Sequence, residues 1–213
     1  YVDQAKQRVY GQCDIDKPAG PSEVCVYIED IQYAAFAASE LLAQCEHDPD
    51  ASVIAIAPDL TILNAIQEEC KQQINTLNRQ DIIKQSCQNS ALVIVKNRTE
   101  AIAMLNEVAS EHLVLLLDDA EKIRKKIQHA GSIFCGPYTP VALGDYIAGP
   151  NHVLPTNKAA RFSSPLNVMD FMKFSSHLTY KKRNLNDIQP QIKTLTDIEE
   201  LDAHYQSVKI RLQ

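Results

Sequence analysis

The chain has 213 residues, of which 45% are hydrophobic, and a formal net charge of −6 at pH 7. This length and hydrophobic content suit one large domain, or a domain with a small appendage, around a buried core. The net negative charge argues against a nucleic acid partner. The sequence has no run of roughly 18 apolar residues and no signal-peptide layout. We therefore expect no membrane partner and a cytoplasmic protein.

The six cysteines are spread along the chain without a CxxC pair or a short regular spacing. Several of them lie in apolar segments with a strand-like or helix-like pattern. We therefore interpret them as free thiols rather than as a disulfide framework.

A helical pattern begins at the first residue. Val2, Ala5 and Val9 recur near the 3.6-residue period, and no capping residue stands in front of them. A helix without a start signal suggests that sequence is missing upstream. We expect residues 1–20 to be the end of a missing N-terminal lobe and its linker.

From residue 23 onward, short apolar segments alternate with longer segments of helical pattern. Nearly continuous apolar, β-branched segments are typical of buried strands, which are predicted at residues 23–28, 52–57, 91–96, 112–117 and 132–135. Helices are predicted between them at residues 32–45, 58–77, 99–110 and 119–129. Thr99 is the expected N-cap of the third helix, and Ala130 with Gly131 the expected stop of the fourth.

This alternation predicts the fold class α/β: a Rossmann-like, mostly parallel sheet with helices on both faces, spanning residues 21–160. Such sheets bind ligands at the carboxyl ends of their strands, so the loops at residues 29–31 and 58–59 become site candidates. No glycine-rich phosphate loop is present.

After Gly136 the composition of the sequence changes. Residues 136–165 are rich in glycine and proline and too irregular for a continuous element. Beyond them we predict a short helix at residues 166–174, a strand or sheet edge at 175–182, and one or two helices in 186–212. Residues 161–213 are therefore expected to form a small, mainly helical C-terminal subdomain.

Polar side chains recur at points where the predicted elements end. Gln44 and His47 are three positions apart at the end of a helix and share a face, although a histidine at a helix end is more often a surface residue that compensates the helix dipole. Glu111 and His112 stand at the mouth of a strand, where a carboxylate beside an imidazole suits general acid and base chemistry. That dipeptide is also common by chance.

Further candidates lie in the loop and in the C-terminal helices. Asp145 is in the glycine-rich loop, His152 stands between two prolines, and Glu199 and His204 lie near the C-terminus. Each has a plain explanation as a solvated or capping group. Together, Gln44, His47, Asp145 and His204 offer nitrogen and oxygen ligands suited to zinc, but their spacing does not show that they converge.

The segments at residues 15–30 and 41–47, IDKPAGPSEVCVYIED and LLAQCEH, resemble the signature of histidinol dehydrogenase, the NAD-dependent zinc enzyme that ends histidine biosynthesis. The resemblance continues through SEHLVLLL, AGSIFCGPYTPVALGDYIAGPNHVLPTNKAARFSSPL and LDAHYQSVKIRL, so it covers essentially the whole chain. It departs from the family at Cys45, where a small apolar residue is usual, at Val141, where a glutamate is frequent, and at Pro165, where glycine is common.

The resemblance implies a role for each candidate. Zinc ligands would be Gln44, His47, Asp145 and, from the partner subunit of a homodimer, His204. Glu111 and His112 would be the catalytic pair. The implied contacts with the small-molecule substrate L-histidinol come from Ser22, Gln44, His47, His112, Asp145, His152, Glu199 and His204.

The implied reaction is the NAD-dependent oxidation of L-histidinol, through L-histidinal, to L-histidine. The family chain is about twice as long, and most contacts with NAD would lie in the missing half, so no cofactor-binding residue is assigned here. Two alternatives stay open. The chain could be a truncated module that binds metal and histidinol without turnover, or a structural protein that reuses the fold.

Overall fold

The core of the protein is one sheet of five parallel strands. The strands are β1 (Glu23–Ile28), β2 (Ser52–Ala57), β3 (Ser90–Ile94), β4 (His112–Leu116) and β5 (Ser132–Cys135). Their order is β3-β2-β1-β4-β5, and every neighbouring pair is parallel. The α/β prediction is therefore confirmed, and the sheet is entirely rather than mostly parallel.

The computed structural model describes all 213 residues and divides them into two units, Tyr1–Phe171 and Met172–Gln213. The helices of the first unit are α1 (Val2–Val9), α2 (Ala34–Cys45), α3 (Leu60–Gln73), α4 (Gln80–Ser86), α5 (Arg98–Val108), α6 (Ala120–Arg124) and α7 (Val141–Tyr146). The second unit contains α8 (Lys182–Ile198) and α9 (Asp202–Lys209). None of the helices is both long and apolar enough to cross a bilayer. The predicted boundaries at residues 20 and 160 stay predictions.

Helices cover both faces of the sheet. Neighbouring side chains of a strand point to opposite faces, so each set of side chains packs against different helices. On one face Val24 and Val26 pack into a buried apolar cluster with residues of α2 and α3. On the other face Cys25 and Tyr27 pack with residues of α5 and α6. Both faces of β1 are therefore buried, which explains why this strand is apolar without alternation.

Two predicted helix ends were wrong, and both corrections involve asparagine side chains. The N-cap of α5 is Asn97 rather than Thr99, since the Asn97 side chain accepts a hydrogen bond from the Glu100 amide. Helix α6 ends at Arg124, before the predicted stop at Ala130 and Gly131. The side-chain oxygen of Asn106 accepts hydrogen bonds from the amides of residues 128 and 129, which replaces the helical bonding there.

The region after residue 136 differs most from its prediction. Helix α7 lies inside the stretch that we expected to be irregular. The prediction was wrong there because the glycine in this short helix and the prolines beside it are residues typical of loops. No strand forms at residues 175–182, whose side chains are exposed, and only the 3-10 turn Val168–Phe171 forms at 166–174. The expectation of two helices near the C-terminus is confirmed by α8 and α9. The short polar helix α4 was not predicted.

Candidate active site

A cavity of about 350 Å³ lies at the amino edge of the sheet, next to the starts of β1 and β4. Seven of the predicted site residues line it: Ser22, Gln44, His47, Glu111, His112, Asp145 and His152. The loops at residues 29–31 and 58–59, which follow strands at the carboxyl edge, do not line it, so that expectation was wrong. The amino edge is used because α2 runs back across the sheet and delivers its C-terminal end there.

The carboxylate of Glu111 is fixed by two hydrogen bonds. Its Oε2 atom accepts from the Ser22 hydroxyl at 2.7 Å and from the Glu23 amide at 2.9 Å. The backbone carbonyl of Glu111 accepts from the Ser132 amide at 2.8 Å, at the start of β5. A Cβ atom at Gly131 would lie 2.5 Å from that carbonyl oxygen, so the close approach of the two strand ends requires glycine there.

The imidazole of His112 is held in one tautomer. Its Nδ1 atom lies 3.0 Å from the carbonyl oxygen of Glu23, and a carbonyl only accepts hydrogen bonds. Nδ1 therefore carries a proton in the neutral ring, and Nε2 carries the lone pair. Nε2 is buried without a hydrogen-bond partner, and the nearest charged atom is Oδ1 of Asp145 at 3.7 Å. The ring thus presents an unsatisfied basic nitrogen beside the cavity.

Burial and a neighbouring charge act in opposite directions on His112. Burial favours the neutral imidazole and lowers its pKa. The Glu111 carboxylate, with Oε2 at 3.4 Å from Nδ1, favours the charged form, and the net result is a pKa of His112 raised above its usual value. The pair is therefore arranged to take up a proton and to keep it stabilised.

The three predicted zinc ligands of the first unit all offer nitrogen or oxygen atoms. Gln44 is buried, and the nitrogen atom Nε2 of its amide has no hydrogen-bond partner. His47 is exposed just beyond the end of α2, and Asp145 lies in α7 with a side chain that is 34% exposed. This donor set fits zinc chemically. No group of three or more His, Cys, Asp or Glu side chains is arranged to hold a metal ion, so the full ligand set stays a prediction.

Glu199 and His204 belong to the second unit. Glu199 is the C-cap of α8, His204 lies in α9, and both side chains are exposed. Their predicted parts in metal and substrate binding stay predictions.

Four polar residues of the cavity were missed by the sequence analysis: Glu40, Glu46, Arg79 and Tyr146. Glu40 is buried, accepts a hydrogen bond from the Val141 amide at 3.1 Å, and has a pKa raised by burial. Helical spacing could have found it, because Glu40 lies four residues before Gln44 on the same face of α2. Nothing in the local sequence marks Arg79, which follows an irregular segment.

The fold and the cavity define a class of protein. It is a Rossmann-like α/β protein whose polar site, built around a carboxylate and a tautomer-fixed imidazole, lies at the amino edge of a parallel sheet.

Comparisons with known proteins name the family. The family model of histidinol dehydrogenase matches residues 1–212. The chain is 47% identical to histidinol dehydrogenase from Acinetobacter baylyi and 44% identical to that from Oceanobacillus iheyensis, over 100% and 99% of its length and 50% of each relative. It resembles the crystal structure of histidinol dehydrogenase from Elizabethkingia anophelis with a TM-score of 0.92 and 36% identity, covering 100% of this chain and 49% of that one.

The chain therefore belongs to the histidinol dehydrogenase family. It spans about half the length of the relatives that it matches.

Proposed function

We propose that this chain carries the proton-transfer, substrate-binding and metal-binding residues of an NAD-dependent, zinc-containing histidinol dehydrogenase. The reaction is the oxidation of L-histidinol, through L-histidinal, to L-histidine, at the end of histidine biosynthesis. The observation that carries the proposal is the fixed tautomer of His112, whose unpartnered Nε2 lies beside a cavity lined by six of the other eight predicted residues.

His112 acts as the general base. With its proton held on Nδ1 by the Glu23 carbonyl, the imidazole accepts the proton of the substrate hydroxyl at Nε2. The neighbouring Glu111 carboxylate stabilises the imidazolium that results, since it lies 3.4 Å from Nδ1. The ring then returns the proton to solvent before the second oxidation.

Glu111 has a separate task in the second oxidation, where the aldehyde must take up water. Its Oε2 is engaged by Ser22 and Glu23, which fixes the carboxylate in place. A fixed carboxylate beside the cavity orients and deprotonates a water molecule for attack on the aldehyde carbon. Retention of the aldehyde in the cavity between the two steps prevents the loss of a reactive intermediate.

Gln44, His47, Asp145 and His204 would hold zinc, with His204 supplied by the partner subunit of a homodimer. Zinc, when bound, supplies a positive centre that ligates and orients the substrate nitrogens, and NAD, when bound, accepts the hydride. Ser22, His152 and Glu199 would contact the substrate. The amide oxygen of Gln44 is the atom that would ligate zinc, whereas its buried Nε2 donor, which has no partner, calls for a hydrogen-bond acceptor.

The test is NADH formation at 340 nm by the full chain supplied with zinc, NAD and L-histidinol. Production of NADH together with L-histidine supports the dehydrogenase. A second candidate, a module that binds zinc and histidinol without turnover, is favoured by one observation: the substrate-side residues gather in a chain that spans half of its relatives. Histidinol binding without NADH formation supports this second candidate, and the absence of both overturns both proposals.

The homodimer has its own test. Chains with His47→Ala and with His204→Ala are each expected to lose the metal site. If ligands come from both subunits, a mixture of the two chains forms hybrid dimers with one intact site, and zinc content recovers to about a quarter of the wild-type value for random pairing of equal amounts. No recovery in a sample shown to contain hybrid dimers contradicts the shared site.

A further inference from the structure

A second cavity, of about 310 Å³, lies between α2, α3 and the strands β2 and β3. Three of the six cysteines line it: Cys45, Cys70 and Cys87. The remaining lining is mainly apolar and includes Leu41, Leu42 and Ile66. We call it the thiol cavity. None of its lining residues lines the active-site cavity, so the proposed reaction does not account for this grouping of thiols.

Two of these thiols are in contact. The sulfur atoms of Cys45 and Cys87 are 3.7 Å apart. Cys45 is the last residue of α2, and Cys87 follows the last residue of α4. The fully buried hydroxyl of Ser86 donates to the carbonyl of Cys45 at 2.8 Å, and this bond fixes the end of α4 against the end of α2. The backbone therefore holds the two sulfurs together without a covalent bond.

The pair is asymmetric in exposure and in acidity. Cys87 is exposed, whereas Cys45 is 1% exposed. The contact with Cys45 lowers the pKa of Cys87, which favours its thiolate form. Burial raises the pKa of Cys70 to about 11. Cys87 is thus the accessible nucleophile of the group, and Cys45 is the thiol behind it.

We propose that Cys45 and Cys87 are a peroxide-reactive dithiol that closes to an intramolecular disulfide. The Cys87 thiolate attacks one oxygen of hydrogen peroxide, the O–O bond breaks, hydroxide leaves, and Cys87 becomes a sulfenic acid. The Cys45 sulfur then attacks the Cys87 sulfur, the S–O bond breaks, and the departing hydroxide leaves as water with the Cys45 proton. In total two thiols lose two electrons and two protons, and one peroxide is reduced to two waters.

The disulfide would tie the last turn of α2 to the end of α4. Gln44, a predicted zinc ligand, immediately precedes Cys45 in that turn, so the modification would lie next to the active site although it faces the core. Closure requires the sulfurs to approach by less than 2 Å from their present separation, since a disulfide bond is about 2 Å long.

The test is oxidation of the reduced full chain with a slight molar excess of hydrogen peroxide, followed by alkylation of the remaining thiols and mass spectrometry. The expected product is a monomer lighter by about 2 Da before alkylation, with four alkylated cysteines and one linked peptide pair containing Cys45 and Cys87. Reduction restores six alkylated cysteines. Cys13, which is exposed and has no sulfur partner, is the internal reference and stays alkylated throughout.

Variants separate the proposal from its alternatives. Cys87→Ser, at an exposed position, removes the linked pair, whereas Cys13→Ser leaves its yield unchanged. In Cys45→Ala no linked pair forms, and peroxide oxidises Cys87 more slowly than in the wild type, because the contact that lowers its pKa is lost; the product is a sulfenic acid that a diketone reagent traps, and then a sulfinic acid. The proposal is overturned if wild-type Cys87 gives only sulfinic acid, if it links to Cys70 or to a second chain, or if it stays unmodified while Cys13 reacts.

Discussion

Polar side chains at the carboxyl edge of the parallel sheet are paired with each other, whereas two buried polar side chains at the amino edge each have a nitrogen atom without a partner. At the carboxyl edge, where the strand order reverses between β1 and β4, Arg98 forms ion pairs with Glu29 at 2.7 Å and with Asp119 at 2.8 Å. At the amino edge, buried nitrogen atoms of Gln44 and His112 have no partner. A polar group that is paired within the chain supports the fold, whereas a buried one left unpaired is costly unless a ligand completes it.

The usual rule for open α/β sheets would place the ligand at the carboxyl edge, at the reversal of strand order. In this chain that crevice is occupied by the Arg98 ion pairs. The unpaired buried nitrogen atoms lie at the opposite edge, and seven of the nine predicted site residues line the cavity there. Substitutions of the cavity-lining side chains at the amino edge should therefore change chemistry, and substitutions of the paired side chains at the carboxyl edge should change stability alone.

The largest effect is expected from His112→Gln at the amino edge. Loss of the proposed general base should lower the turnover rate about 10²- to 10⁴-fold, and the glutamine side chain can still donate toward the Glu23 carbonyl. The rate of NADH formation and the melting temperature are the two measurements. His129→Gln, which replaces a histidine outside the cavity, serves as the matched control and should leave the rate unchanged. Equal rates for both variants would contradict the role of His112.

A smaller effect, on stability, is expected from Gly131→Ala. The added Cβ would lie 2.5 Å from the Glu111 carbonyl oxygen, so the first residues of β4 and β5 must move apart. Overpacking of this kind costs about 1–3 kcal/mol. Urea unfolding followed by circular dichroism measures the loss in the free energy of unfolding. A variant as stable as the wild type would show that the strand ends are not held closely.

Glu111→Gln is expected to change the acidity of His112. Without the carboxylate, burial is opposed only by the Glu23 carbonyl and Asp145, so the pKa of His112 falls from its raised value. In the wild type the raised pKa stabilises the fold fully below the unfolded-state pKa of about 6.5, and this contribution disappears as the pH rises through the folded-state pKa. The variant loses this contribution, so its deficit in stability is greatest in acid.

NMR titration of the histidine ring protons in the metal-free chain measures this pKa directly. Glu29→Gln is the matched control, because it neutralises a carboxylate at the opposite edge of the sheet and should leave the titration of His112 in place. A His112 titration that is the same in Glu111→Gln as in the wild type would refute the assigned cause of the shift.

The smallest effect is expected from Arg98→Ala at the carboxyl edge. The Arg98 side chain is 44% exposed, so solvent screens its ion pairs and their loss costs at most about 1 kcal/mol. The rate of NADH formation per folded molecule should not change. A loss of activity comparable with that of His112→Gln would contradict this assignment and place the active site at the carboxyl edge.

The fold could be predicted from the sequence where the signal is local. The strands at residues 23–28, 52–57 and 132–135 were found with the bounds that the structure has, because continuous apolar segments bounded by polar residues leave little ambiguity. Helix ends were less predictable, since Asn97 and Asn106 fix them through side-chain hydrogen bonds that leave no periodic pattern.

Seven of the predicted site residues line one cavity, but the position of that cavity in the fold was not predicted. Residue types at Gln44, Glu111 and Asp145 suggested their chemistry, but their convergence depends on the direction in which α2 and α7 cross the sheet. The tautomer of His112 depends on the carbonyl of Glu23, a contact across 89 positions that no local pattern contains. Such information lies in the packing of the elements rather than in any one segment.

The most direct test of the amino-edge site is calorimetric titration of L-histidinol into the full chain, with and without zinc, for the wild type, Gln44→Ala and Arg98→Ala. We expect zinc-dependent binding by the wild type and by Arg98→Ala, and strongly weakened binding by Gln44→Ala. Binding that survives in Gln44→Ala but is lost in a folded Arg98→Ala would contradict the account and place the ligand at the carboxyl edge of the sheet.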